Sequence, residues 1–246
     1  MIKKMASDFG GIVVLLIRTL ACLFPPRVDS KQFIRNLYKM GNESVPIVLL
    51  TAFFVGGIMV VQAGVFVKRF GATALVGWGA GYAVLREIGP ILIGLMFSGR
   101  VGSNNTAELG TMTVTEQIDG LRALAVEPMS YLIAPRVFAM IIMLFLLTII
   151  GILVAIGGAA LFGKLMLDVE YGVFMMSFTT SLGLEDLFHG LIKAAVFGVV
   201  IALTSCHYGI TVKGGAVGVG RAVNASVVAS ALGIVFADYF LTFFLS

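Results

Sequence analysis

Five long apolar runs, parted by short charged stretches, set the pattern of this 246-residue chain. Val45–Val67 is 23 residues without a charge, enough to cross a bilayer with some tilt, and Lys68-Arg69 closes it. The next run, 70–99, is longer than ~30 Å of hydrocarbon needs at ~1.5 Å per residue. Gly71, Gly77, Gly79, Gly81, Gly89 and Pro90 punctuate it, which predicts an entry turn and then a helix kinked near Gly89-Pro90. Val137–Gly163 is 27 uncharged residues and the clearest span. Residues 187–212 form a fourth run containing Lys193, and 222–246 a fifth broken only by Asp238. The predicted fold class is therefore all-α integral membrane protein. It has about five transmembrane helices over 45–246 and a polar section at 100–136.

Residues 1–44 follow another pattern. Phe9–Phe24 is apolar but carries Arg18, ends at Pro25-Pro26, and is about 16 residues long, short for a crossing. Between Lys31 and Met40, Phe33, Ile34, Leu37 and Tyr38 recur at helical spacing, with Arg35 and Lys39 among them. That predicts a pair of interfacial amphipathic helices, the alternative being a first spanning helix.

The connectors carry their own signals. In 100–136, Thr113-x-x-Glu116 reads as a capping box opening a short helix, with Val114, Ile118 and Leu121 on one face and Glu116, Gln117 and Asp119 elsewhere. Two turns of lone amphipathic helix are unstable, so this one needs the membrane or a partner groove. Pro128 and Pro135 stiffen the return to the third span. Lys164–Asp186 is a mixed loop with Asp168, Glu170, Glu185 and Asp186 that suits a short surface helix, and Lys213–Arg221 a tight glycine turn.

Composition agrees with the pattern: 59% hydrophobic, 12% charged and mean hydropathy +1.04, against about 25% charged in a soluble domain. No basic face for nucleic acid is visible, Cys22 and Cys206 read as packing residues, and no removable signal peptide is expected. Lysine and arginine are unevenly distributed. The N-terminal section carries seven, the central section adds Arg100, Arg122 and Arg136, and the glycine turn adds Lys213 and Arg221. The other side has Lys68, Arg69, Lys164 and Lys193, which predicts a cytoplasmic N-terminus and central section.

No nucleophile–base set presents itself. His189 and His207 are 18 residues apart in one span, and Ser98-Gly99 lacks a nucleophile-elbow context. Gly218–Gly220 lacks the phosphate-loop pattern, so ATP-driven work belongs to another chain. No catalytic residue, metal or cofactor is expected. The intramembrane charges say more: Arg86, Glu87, Lys193 and Asp238 sit in hydrophobic spans, where each costs at least ~2.5–3.5 kcal/mol at the centre. Such groups pair with each other or face a wet cavity, and they are expected to cluster toward the outer half. The alternative is that Lys193 and Asp238 snorkel. Ile58, Met59, Val60, Val61, Val65, Phe66 and Phe70 are candidates to line an acyl-chain cavity, or are ordinary lipid-facing or packing residues.

Arg86-Glu87-Ile88-Gly89-Pro90, Gly99-Arg100-Val101-Gly102, Ala107–Met112 (AELGTM) and Val114–Leu121 (VTEQIDGL) together resemble the MlaE (YrbE-like) permease family, the membrane subunits of MCE-type lipid ABC transporters. Pro135-Arg136 and the run from Gly218 to Asp238 are similar to the same family, and the resemblance covers roughly 35–246. It implies a homodimeric, non-catalytic permease in the inner membrane of a Gram-negative-type bacterium, with two cytoplasmic ABC ATPase subunits and a hexameric periplasmic ring of MCE-domain protein. Phospholipid would pass between that ring and an outward-facing cavity, maintaining outer-membrane lipid asymmetry. The resemblance also places the ATPase-coupling helix on Thr113, Glu116, Gln117, Asp119 and Leu121, and the intramembrane charge positions on Arg86, Glu87, Lys193 and Asp238. Ser103-Asn104-Asn105-Thr106 depart from it, standing where small apolar residues are expected.

Two other functions compete. An ion- or proton-coupled carrier would titrate Glu87 and Asp238, and it usually brings internal repeats, which are not found. A non-transporting membrane scaffold predicts that reversing the charges of Glu116 and Asp119 leaves lipid traffic unchanged.

Overall fold

The computed structural model describes residues 2–22, 29–70 and 75–245, with side chains for 7–22, 29–65 and 75–245. The Phe66 and Phe70 side chains, Phe24, Pro25-Pro26, and the Lys68-Arg69 side chains therefore lie outside the described residues. The described residues form eight helical runs and no strand: α1 (Ile2–Ala21), α2 (Ser30–Phe70), α3 (Val76–Val114), α4 (Gln117–Ala123), α5 (Met129–Leu167), α6 (Tyr171–Ser181), α7 (Leu184–Ile210) and α8 (Gly215–Leu245). Five are long and apolar enough to cross a membrane, namely α2 over Ser30–Val65, α3, α5, α7 and α8. The expected number of spans and the all-α class are both found.

Boundaries differ from the sequence reading in three places. The amphipathic stretch 31–40 and the first span are one helix, α2, running through Pro46. A proline is tolerated there because a membrane bundle can satisfy the carbonyl it strands. Gly99–Thr106 does not break the second span either. α3 runs on to Val114 through two π-helical turns, Ala83–Ile88 and Ser98–Gly102. In each, an N–H reaches back five residues, Gly89 to the Val84 carbonyl and Ser103 to the Ser98 carbonyl. Each wide turn takes in an extra residue and so rotates the faces that follow it. The 213–221 stretch is helical from Gly215, leaving only a sharp bend at Gly214 and Gly215, whose φ of 91° and 63° favour glycine.

The chain forms two compact units. The first comprises 1–44, 97–143 and 196–236. Its helices meet through small and polar residues: a Cβ on Gly198 would crowd the Ile141 backbone, and one on Gly102 the Ile201 side chain. Thr106 donates to the Ser205 carbonyl at 3.1 Å and lies 2.9 Å from the Ser226 hydroxyl, while Asn105 Nδ2 donates to Ser205 Oγ at 2.9 Å. Where hydrophobic burial drives little association between helices, such contacts join them. That is the reason Ser103–Thr106 are polar without being a loop.

The second unit comprises 45–96, 144–195 and 237–246. Here α2 and α5 meet backbone to backbone: a Cβ on Gly56 would collide with the Ala155 carbonyl, and one on Gly158 with the Phe53 carbonyl. Val60, Val76, Ala80, Ala159, Val169 and Phe174 form its main apolar cluster. α6, the short helix anticipated within 164–186, packs Phe174 and Phe178 against Gly77 and Gly81 of α3.

Candidate functional site

Three helices of the second unit converge on one ammonium group. α7 supplies Lys193, α3 supplies Glu87, and α8 supplies Asp238 and Thr242. Lys193 is 1% exposed. Its Nζ donates to Glu87 Oε2 at 2.5 Å and to Thr242 Oγ1 at 2.7 Å, and lies 3.0 Å from Asp238 Oδ1. The Thr242 hydroxyl in turn reaches the Glu87 carboxylate, 3.2 Å from Oε2. The lysine is enclosed within the unit, and its cost of burial is offset by two carboxylates. Asp238 Oδ1 is buried and accepts no hydrogen bond among the described residues, so its link to Lys193 is a charge contact outside hydrogen-bond geometry.

Arg86 belongs to a neighbouring cluster. Its Nη1 lies 3.6 Å from Asp186 and donates to the Tyr82 hydroxyl at 3.2 Å, Nη2 donates to the Leu245 carbonyl at 3.1 Å, and the guanidinium sits 5.2 Å from the Tyr82 ring centroid. Arg86 and Glu87 share the first π turn of α3. Three of the four predicted charges thus meet directly, and Arg86 instead takes Asp186, which the sequence placed in a loop. Sequence reasoning missed Thr242, Asp186 and Tyr82. Thr242 was detectable in principle, since it follows Asp238 by four positions and shares its helix face.

The acyl-chain candidates divide between the surface and the interior of the single chain, with Val60 fully buried. Ile58, Val61 and Val65 are exposed on α2, and Met59 packs against the buried clusters. The α8 face carrying Val228, Leu232, Val235, Phe236, Tyr239, Phe240, Phe243 and Phe244 is likewise exposed.

In the first unit, the expected capping box does not form. Thr113 donates back to the Leu109 carbonyl at 2.8 Å and to the Gly209 carbonyl at 3.1 Å. Glu116 adopts φ 58° just before the helix, which starts at Gln117, four residues after the expected cap. Thr113 is drawn into the end of α3 because the neighbouring α7 carbonyl offers a second acceptor. α4 is a seven-residue helix seated by buried Ile118, with Glu116, Gln117 and Asp119 exposed and Asp119 2.6 Å from Arg122. Beneath it lies a charge cluster the sequence did not anticipate: Glu108 pairs with Lys39 and, at 3.1 Å, with Arg136, which also donates to Asn105 Oδ1 at 3.0 Å.

Comparison with known proteins comes from two directions. The family model described as Permease MlaE matches residues 33–244. The chain is 36% identical over 239 residues to a probable ABC transporter permease protein of Rickettsia conorii, covering 97% of this chain and 92% of that one. It is 37% identical over 216 residues to a probable ABC transporter permease protein of Synechocystis sp., covering 88% and 82%. It is also 35% identical over 218 residues to the chloroplastic protein TRIGALACTOSYLDIACYLGLYCEROL 1 of Arabidopsis thaliana, covering 89% of this chain and 62% of the plant protein.

Proposed function

The chain belongs to the MlaE permease family, and on that premise we propose that it is the membrane subunit of an ATP-driven phospholipid transporter. It exchanges lipid between the inner membrane and a periplasmic MCE-domain protein and so maintains outer-membrane lipid asymmetry. ATP is hydrolysed by two copies of a separate cytoplasmic ABC subunit. Two copies of this chain assemble, with N-terminus and α4 on the cytoplasmic side, as the lysine and arginine distribution favours.

The observation that carries this reading is the enclosed Lys193 held by Glu87 and Asp238 across α3, α7 and α8. A charge cluster of this kind inside apolar spans marks a substrate path by its cost alone. It ties three helices at one point, so their relative movement must break or remake ion pairs. Arg86, held by a single carboxylate at 3.6 Å, is the cation left to meet a headgroup phosphate. The exposed apolar residues of α2 and α8 suit acyl chains or a second copy of the chain. The plant relative carries the name of a diacylglycerol lipid, which supports a lipid substrate. At α4, Glu116, Gln117 and Asp119 offer an exposed polar face to the ATPase.

Native mass spectrometry of the chain, purified gently from its own membranes, tests the reading. Two copies with two nucleotide-binding subunits and phospholipid adducts are expected. A chain arriving alone, under conditions that preserve other membrane complexes, overturns it. So does transport that stops when the proton gradient is dissipated while ATP remains.

A further inference from the structure

The first unit holds a cavity of about 480 Å³, and its lining is unlike that of the apolar spans. Arg35 and Lys39 of α2, Glu108 of α3, Gln117 of α4, and Tyr131 and Arg136 of α5 all face it. Three cations thus meet one carboxylate. Glu108 is already shared by Lys39 and Arg136, and Arg35 has no ion-pair or hydrogen-bond partner among the described residues.

A second observation points the same way. Arg136 is 8% exposed, yet its Nε has no hydrogen-bond partner among the described residues. A guanidinium N–H buried without a partner is costly, and native folds rarely leave one so. The Tyr131 hydroxyl accepts from Gln32 Nε2 at 3.1 Å and keeps its own hydrogen to donate. Convergent donors, a surplus of positive charge and two arginine forks together suit the oxygens of a phosphate group.

The surroundings favour a lipid as its source. Ile34 and Tyr38 are 64% and 74% exposed on the same turns of α2 that carry Arg35 and Lys39. Apolar residues that bare, interleaved with basic ones on one helix, mark the depth of the headgroups.

We propose that this cavity binds the headgroup phosphate of an anionic phospholipid from the adjoining leaflet, as a site distinct from the Lys193 cluster. The site itself needs only that the chain lies in a membrane. One consequence rests on the proposed function: because Gln117 and Leu121 also line the cavity, a bound lipid braces α4 against α2 and α5, and ATPase engagement then depends on the leaflet's anionic content.

The test is native mass spectrometry of the detergent-purified chain titrated with phosphatidylglycerol, phosphatidylcholine or inorganic phosphate. Phosphatidylglycerol adducts are expected in preference to phosphatidylcholine, and millimolar inorganic phosphate should not displace them. Arg35→Glu should weaken phosphatidylglycerol binding about tenfold, since each basic group near a headgroup contributes measurably. Glu108→Gln removes the only carboxylate that lines the cavity among the described residues and should tighten binding. Opposite signs for the two variants separate a binding effect from misfolding, which would lose both. Adducts identical in wild type and both variants, or displaced by inorganic phosphate, overturn the proposal. Loss of a co-purifying ATPase from Arg35→Glu with lipid adducts unchanged also overturns it, making the cavity a protein-docking site. None of these readouts requires transport, so their failure leaves the permease reading intact.

Discussion

Lys193 Nζ and Glu87 Oε2 are 2.5 Å apart across 106 positions of sequence, and the lysine is almost wholly enclosed. Removing its carboxylates would leave the ammonium uncompensated, and removing the lysine would leave them so.

Lys193→Met should therefore destabilise the protein by about 3–5 kcal/mol, because it leaves Glu87 and Asp238 uncompensated inside spans. Adding Glu87→Gln and Asp238→Asn to it should recover much of the loss. Thermal unfolding in detergent, followed by size-exclusion fluorescence, measures both. If the triple variant is no more stable than the single one, mutual compensation is wrong. Exchanging Lys193→Asp with Asp238→Lys should outperform either change alone if the contact between them matters.

The backbone contact of α2 with α5 predicts a sharp contrast between glycines. Gly56→Leu should abolish accumulation of folded protein, because the Ala155 carbonyl occupies the space a side chain needs. Gly157→Ala, where a Cβ meets nothing within 4 Å, should be silent. Expression and melting temperature of the two variants decide it.

Thr106 and Ser226 lie 2.9 Å apart between α3 and α8. A double-mutant cycle of Thr106→Val and Ser226→Ala should give a coupling of about 0.6 kcal/mol, the usual scale for hydrogen bonds between membrane helices. Additive effects would show that the contact contributes nothing.

Reversing Glu116 and Asp119 to lysine should leave the stability within about 0.5 kcal/mol of wild type, since both are exposed. The ATPase should no longer co-purify, and lipid transport should stop. Retained transport would favour the scaffold reading of the chain.

The particular misreadings share a cause. The second apolar run ends at 99, but the helix continues because Gly102 admits Ile201 and Asn105 and Thr106 bond to the neighbouring helix. The Thr113–Glu116 spacing predicts a cap only if Thr113 lacks another acceptor, and the Gly209 carbonyl of α7 supplies one. Local rules assume local partners, and a bundle of long helices offers distant ones.

Sequence alone determined what hydrocarbon enforces. An unpaired backbone in lipid is so costly that uncharged runs longer than ~18 residues must be helices, so the all-α class and five spans were legible from hydropathy. Burial cost likewise singled out Arg86, Glu87, Lys193 and Asp238 before any geometry was known. Tertiary structure alone decided how those charges are shared: Lys193 with Glu87, Asp238 and Thr242, and Arg86 with Asp186 and Tyr82. It also brought Lys39, Glu108 and Arg136 together. Pairing depends on the rotation of each helix about its axis, which the π turns of α3 reset and backbone contacts such as Gly56 on Ala155 hold. Hydropathy records how deep a residue lies, and that rotation leaves no trace in it.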